Sequence, residues 1–422
     1  MLFIGLLGII LFFRFQEFYH SHPLLQDGQE VRLTTALSAE PKFSNKGQSF
    51  TIRTAVNEII SVTVSPFPRY HYGEVVEIVG KVKAKTFERG HTIFLLYHPQ
   101  IRFKNEAENQ LAGVAKDIRE HTKAIYQAAL PPTSASLLMG MVFGAKEQFS
   151  DSFWRDLQAT GVLHVIAASG MNVTFVAAAL LFGLGLVLPR RMALVIGSFG
   201  IIFYIFLVGF QPSILRASIM GLLAFGAALL GKQNFAAIAV FISGYLLLVW
   251  QPSYLFDVGF QLSFLATLGI VFIKPMLDGL FGKLGKYGEL GGETVSTTLA
   301  AQLGTVPILF GTFGQVGILS LLVNALVLWT VPMVMIIGSV AAVLGLVFPS
   351  LGQLIVYLAL PFLLFFQSIV SFFGGEGWLV TIGNWHWQFS VGYYLLLLAI
   401  IMIRKPSQKA LSVEESLGLE KY

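Results

Sequence analysis

The chain has 422 residues, of which 55% are hydrophobic and only 12% charged. Soluble domains carry about twice that charged share, so the composition excludes an ordinary soluble protein and points to a polytopic membrane protein. The absence of cysteine excludes disulfides, thiolate metal sites and a cysteine nucleophile, and the net charge of +5 is a mild excess that cytoplasmic loops account for in such a protein.

The first element is LFIGLLGIILFF, residues 2–13. It is shorter than the roughly 20 residues of a helical span. No basic residue precedes it and no small-residue cleavage site follows, so residues 1–19 read as a short uncleaved membrane anchor. Arg14 snorkels there, while Phe15, Phe18 and Tyr19 suit an interface.

Residues 20–105 are polar, with Val/Ile/Thr-rich runs of period near two at 31–38, 49–56, 59–65, 75–87 and 91–98. Such runs between Gly- and Asn-containing breaks are strands, and five of them in so short a stretch predict a soluble β-barrel domain of the OB type. Residues 29–104 hold eleven Lys/Arg against six Asp/Glu. Lys81, Lys83 and Lys85 alternate along one run, with Phe87, Arg89, Phe94 and Tyr97 close by. Basic grooves with stacking aromatics are how OB folds hold single strands, although an alternating lysine row also fits a merely solvated strand face.

Residues 106–157 combine an amphipathic helix over 106–130, ended by Pro131 and Pro132, with a segment at 137–146 too short to cross a membrane. That segment is expected to be re-entrant or interfacial. From 158 to 404 the sequence is mostly apolar. Spans are predicted at 161–188, 192–209, 213–231, 234–250, 258–277, 295–312, 317–347, 352–373 and 389–403. The 317–347 run exceeds one crossing and carries Pro332, so it is a broken helix or two short ones. Residues 405–422 are a polar tail. Basic residues at Arg190–Arg191, Lys232 and Lys274/Lys283/Lys286 mark every second connection as cytoplasmic, which places residues 20–105 outside. The tail is inside if 317–347 crosses once and outside if it crosses twice.

Three places put polar groups into the apolar region. HVIAASGMNV, residues 164–173, carries His164, Ser169, Gly170 and Asn172. Lipid offers such groups no partner, so they face other helices or a wet cavity. His164 and Asn172 are about 80° apart on a helix and fit one face. Ser169 and Gly170 either allow close helix packing or kink the helix. A catalytic reading is weak: His164 and Ser169 lie about 140° apart, with no third group to orient the histidine. The second place is Arg216 in PSILRASIM, which snorkels or lines an anion's route. The third is DVGFQLSF, where Asp257 and Gln261 share a helix face and Ser263 follows; Asp257 either caps that helix or pairs with Arg216 or orders Gln211. Gln302, Pro307 and Asn324 read as interhelical bonds or kinks. There is no GxxxxGK[ST] motif and no His/Asp cluster of metal-site spacing, so no catalytic residue, metal or cofactor is expected.

YGEVVEIVGKV (72–82), TGVLHVIAASGMNVTFVAA (160–178), PSILRASIM (212–220) and DVGFQLSFLATLGI (257–270), in this order and spacing, resemble the ComEC competence family. The family commonly has histidine where this chain has Asn172, which argues against a proton-relay role there. Full-length relatives usually continue into a metallo-β-lactamase-like domain and this sequence stops at Tyr422, so a non-enzyme is expected. The resemblance implies a multi-pass channel subunit of the bacterial cytoplasmic (inner) membrane that takes up single-stranded DNA during natural transformation. It further implies a DNA path lined by His164, Ser169, Gly170, Asn172, Arg216, Asp257, Gln261 and Ser263. The OB-like domain would receive DNA through Lys81, Lys83, Lys85, Phe87, Arg89 and Tyr97. A cytoplasmic translocase and a separate nuclease would be partners, with the pore inside one subunit or between the copies of a homodimer. The alternatives are a small-molecule or ion transporter and, less favoured, an intramembrane hydrolase.

Overall fold

The computed structural model describes residues 2–21, 25–37, 42–44, 47–54, 56, 58–68, 70, 74–86, 92–97, 99–103, 110–144, 149–166, 170–233, 235–281, 292–317, 319–375, 379–381 and 386–403. The chain divides into two compact units, Met1–Asp117 with Leu246–Asp257, and Ile118–Tyr245 with Val258–Tyr422.

In the first unit, α1 (Leu2–Ser21) is one continuous helix. Arg14 donates from Nε to the carbonyl of Val249 at 2.9 Å, and Tyr19 meets Phe256 edge-on. The guanidinium thus satisfies one of the carbonyls left open at a helix C-terminus. The strands are β1 (Glu30–Ala36), β2 (Lys42–Ser44), β3 (Gly47–Arg53), β4 (Ile59–Val64), β5 (Val75–Lys81), β6 (Lys83–Thr86), β7 (Thr92–Tyr97) and β8 (Gln100–Phe103). They form two sheets, β1-β5-β8 and β2-β3-β4-β7-β6, with the β4–β7 pair parallel. The expected closed barrel is corrected to these two sheets among the described residues. The physical reason lies at Val82. The predicted 75–87 strand breaks there, because the Val82 N–H and C=O pair with Gln29 and Gly28, and the chain passes from one sheet to the other. Both sheets share one core, including Val31, Ile78, Phe50, Ile60, Val62 and Leu96.

The second unit is helical. It begins within α2 (Gln110–Ala129), whose buried side includes Ala115, Ile125 and Tyr126. Pro132 opens α3 (Pro132–Phe143) at a position where the missing N–H costs nothing. Gly144 closes it at φ 63°, donating to the Gly140 carbonyl at 2.8 Å. Most of the segment expected to be re-entrant or interfacial lies in this helix, with Leu137 to Phe143 all buried. Its apolar residues lie on every face, and such a helix must be enclosed.

Then come α4 (Asp151–Ala159), α5 (Leu163–Ile166), α6 (Gly170–Gly185), α7 (Arg190–Val208), α8 (Pro212–Leu229), α9 (Ala236–Trp250), α10 (Val258–Phe272) and α11 (Lys274–Phe281). They are followed by α12 (Gly292–Phe313), β9 (Gln315–Gly317), α13 (Ser320–Val327), α14 (Thr330–Gly345), α15 (Pro349–Val356), α16 (Leu360–Phe373), β10 (Leu379–Thr381) and α17 (Trp387–Ile403).

Three helices are long and apolar enough to cross a membrane, or five when each bent pair is one span, among the described residues. The bent pairs are α10–α11, at 44°, and α13–α14, at 46°. The 317–347 run is thus a broken helix whose break lies at Leu328–Trp329, with Pro332 tolerated in the first turn of α14. Of the predicted 161–188 span, the described residues include α5 and α6, and residues 167–169 lie outside them. Before α13, β9 pairs antiparallel with β10, Val316 opposite Val380. One core joins α3, α4 and α5 to α13, α14 and α16, and a second joins α6, α7 and α8.

Candidate functional site

The end of α3 carries carbonyls that no turn of its own helix can satisfy. Asn172 of α6 donates from Nδ2 to the Met141 carbonyl at 2.8 Å, and Tyr204 of α7 donates to the Val142 carbonyl at 2.8 Å. Asn172 is 1% exposed. Its amide is therefore a fixed donor that anchors α6 to the core helix.

His164 sits in the four-residue α5, its Nδ1 3.0 Å from the Gly161 carbonyl. Its neighbours Val165 and Ile166 are buried, while His164 is exposed. Gly161, at φ 71°, fits the left-handed turn that starts this segment and lies against Ser320 at the start of α13. Ser320 accepts from Gln302 Nε2 at 3.1 Å, so Gln302 makes an interhelical bond. Ser169 lies outside the described residues. The structure places His164 and Asn172 differently: one is exposed, the other enclosed and bonded.

Arg216 is 7% exposed, one helical turn inside α8. It does not snorkel. Its Nη1 donates to the Ser263 carbonyl and to Thr267 Oγ1, both on α10. Thr267 Oγ1 in turn donates to the Ser263 carbonyl at 2.9 Å. Gly170, the first residue of α6, packs against this side chain: a Cβ on it would lie 3.2 Å from Arg216 Nη2 and 3.1 Å from Ala217 Cβ. No ion pair forms on Arg216 among the described residues, and its Nε has no hydrogen-bond partner. Arg216, Gly170 and Ser263, three of the residues named from the sequence, thus meet in one place. Thr267 was missed, although its four-residue spacing from Ser263 puts both on one helix face.

Gln261 is half-buried on α10, and Asp257 is 8% exposed with an extended backbone, φ −80° and ψ 122°, immediately before that helix. That is the backbone conformation and position of an N-cap residue. In the sheet unit, Lys81, Lys83 and Lys85 are exposed and Val82 is buried, as the alternation predicts. Lys83 stands opposite Leu95, two residues from Tyr97, which is 61% exposed. Lys83, Lys85 and Tyr97 therefore share the outer face of the β6–β7 pair. Phe94 is 6% exposed and belongs to the core, while Phe87 and Arg89 lie outside the described residues. No group of three or more His, Asp or Glu that could hold a metal occurs among the described residues.

Helix α12 meets α10 where Gly269 and Gly304 face each other, their Cα atoms within reach of a single added Cβ. Farther along α12, Pro307 removes the N–H that would bond the Leu303 carbonyl. Tyr393 of α17 donates to that carbonyl at 2.8 Å, and Tyr394 to the Gly304 carbonyl at 3.1 Å. Neither tyrosine was singled out from the sequence, because the carbonyls they meet lie 90 residues away on α12.

Residues 141–407 match the model of the family described as competence protein. The chain is 29% identical over 228 residues to ComE operon protein 3 of Bacillus subtilis (strain 168), which covers 54% of this chain and 28% of that protein. It is 31% identical over 167 residues to an uncharacterized protein of Aquifex aeolicus (strain VF5), covering 39% of this chain and 37% of that one. The matched stretch is thus roughly a third of each relative's length. No solved structure matches. The chain belongs to the competence protein family and is a multi-pass helical membrane protein with N-terminal β-sheets.

Proposed function

We propose that this competence-family protein is a channel subunit that passes single-stranded DNA across the bacterial cytoplasmic membrane during natural transformation. Membership of residues 141–407 in the competence family carries this reading. Physical observations support it. A strand has a charge on every phosphate, so it needs a wet route with hydrogen-bonding or positive lining. Non-helical backbone in such a protein belongs where it is enclosed or lines water. Here the β9–β10 pair and the bent α13–α14 span supply it.

The N-terminal sheets are read as an OB-like receiving domain on the outer side. The parallel β4–β7 pair and the strand that changes sheets at Val82 support that reading. Lys81, Lys83, Lys85 and Tyr97 offer phosphate contacts and a stacking ring. The pulling force is assigned to a cytoplasmic translocase, because no nucleotide-binding GxxxxGK[ST] motif is present in the sequence. Degradation of the other strand is assigned to a separate nuclease, and this segment to conduction without catalysis.

The test is a transformation assay in a strain lacking its own copy, with labelled DNA followed across the membrane. The full chain should restore entry of one strand. Restored flux of a small solute with no DNA entry would overturn the reading in favour of a solute transporter.

A further inference from the structure

We propose that the joined ends of α7 and α8 form a binding surface for the headgroup of an anionic phospholipid. Arg190 and Arg191 open α7, and Lys232 follows α8 just past Gly231, whose φ of 63° closes that helix. The two helices run antiparallel, and their contacts give the register. Gly221 faces Ile201, and one turn farther along Phe225 faces Gly197. Continued at the same step, that register sets Arg190 level with Lys232. The three cations therefore share one end of the α7–α8 pair. All three are exposed, and none has a side-chain hydrogen bond or ion pair among the described residues.

Residues 157–256 contain no Asp or Glu, so no carboxylate of these helices answers the charge. Two arginines at a helix N-terminus also oppose its dipole, and α7 has no acidic residue in its first turn. Their placement weakens the helix unless an anion stands beside them. The neighbouring side chains identify that anion. Leu186 and Val187, in the turn between α6 and α7, and Leu230, two residues before Lys232, are exposed, Val187 at 83%. Bulky apolar groups thus stand within a few residues of each cation. An anionic phospholipid meets both needs at once, with its phosphate at the cations and its acyl chains at Leu186, Val187 and Leu230. A nucleic-acid strand would answer only the charge and leave the apolar groups in water. The charges themselves mark this end as cytoplasmic, but that rule sets orientation and does not require a retained headgroup. The surface is independent of the DNA-uptake reading.

The experiment uses the full chain in nanodiscs. The sequence has no cysteine, so Gln233→Cys, exposed and next to Lys232, takes a single fluorescent label. The discs contain phosphatidylcholine and phosphatidylglycerol, one of the two brominated, and quenching of the label measures the preference between them. Brominated phosphatidylglycerol should quench preferentially. Each of Arg190→Gln, Arg191→Gln and Lys232→Gln should lower the preference by up to about fivefold, as expected for one cation near an anionic surface. Arg190→Lys with Arg191→Lys should keep it, since point charge rather than a guanidinium fork carries the binding.

The triple glutamine variant should show no preference. Brominated phosphatidylcholine should quench it at least as well as wild type, which shows that the folded helix ends still reach the bilayer. A label at Phe210→Cys, past the other end of α7, should report no preference either. Equal quenching by the two lipids at position 233, or a preference that survives in the triple variant, would overturn the proposal. So would a single-stranded oligonucleotide that relieves the phosphatidylglycerol quenching, because the surface would then belong to a nucleic-acid strand.

Discussion

The hydroxyl of Tyr393 donates to the Leu303 carbonyl at 2.8 Å, and that carbonyl is the acceptor Pro307 deprives of its helical partner. The two residues are 90 positions apart. The proline position in α12 is thereby tied to α17, none of whose described residues is buried. Tyr393→Phe should cost about 1 kcal/mol in detergent unfolding, because an acceptor is left without a donor. In a Pro307→Ala background a helical N–H returns to the carbonyl, and the same substitution should cost close to nothing. Additive effects in this double-mutant cycle would show that the bond does not compensate for the proline.

Asn172 is expected to act through its N–H donor. Asn172→Leu leaves the Met141 carbonyl without its side-chain partner inside the core and should destabilise by roughly 1–3 kcal/mol. Asn172→Asp should be at least as damaging, since a carboxylate would face that carbonyl oxygen. Asn172→His can still donate a proton and should be the mildest of the three. Unfolding midpoints of the set check this order, and a histidine variant as weak as the leucine one would refute it.

The Gly269–Gly304 crossing should tolerate no side chain. A Cβ on Gly269 would run into the Ala300 carbonyl, and one on Gly304 into the Leu265 carbonyl. These atoms belong to backbone and cannot swing aside, so α10 and α12 would have to separate. Either alanine substitution should cost about 1–3 kcal/mol, the usual range for overpacking. Gly279→Ala, with open space around it, is the control and should be neutral or slightly stabilising.

Glu58 predicts a pH dependence in the sheet unit. Its carboxylate accepts the Leu25 N–H at 3.1 and 3.3 Å, and burial raises its pKa above the ordinary value while that bond lowers it in part. The folded protein then holds the proton to higher pH than the unfolded chain. The stability this gives is complete below the ordinary glutamate value and is lost as pH rises through the raised folded value. Glu58→Gln should flatten that decline while keeping an acceptor for Leu25. Protection factors of the β3 and β4 amides across this window, corrected for intrinsic exchange, provide the measurement. An unchanged slope in the variant would remove Glu58 as its source.

Removing Lys81, Lys83 and Lys85 together, as glutamines, should weaken binding of a single-stranded oligonucleotide by the full chain. If each lysine neutralises one phosphate, the slope of log affinity against log salt should fall by about 2. An unchanged slope would place the DNA contact elsewhere.

The sequence by itself determined the membrane class, the order of the elements and the family motifs. Those follow from local quantities: apolar run length, period two against period 3.6, and proline or glycine at the ends. It also marked Gly170, Arg216 and Ser263 as unusual, because polar or helix-weakening groups stand out in apolar runs. The tertiary structure decided what each one does. Asn172 turned inward because the end of α3 leaves the Met141 carbonyl open, and Arg216 turned toward α10 because Ser263 and Thr267 accept there. The partner that satisfies a polar group in a dry interior comes from distant parts of the chain, and no local pattern encodes it.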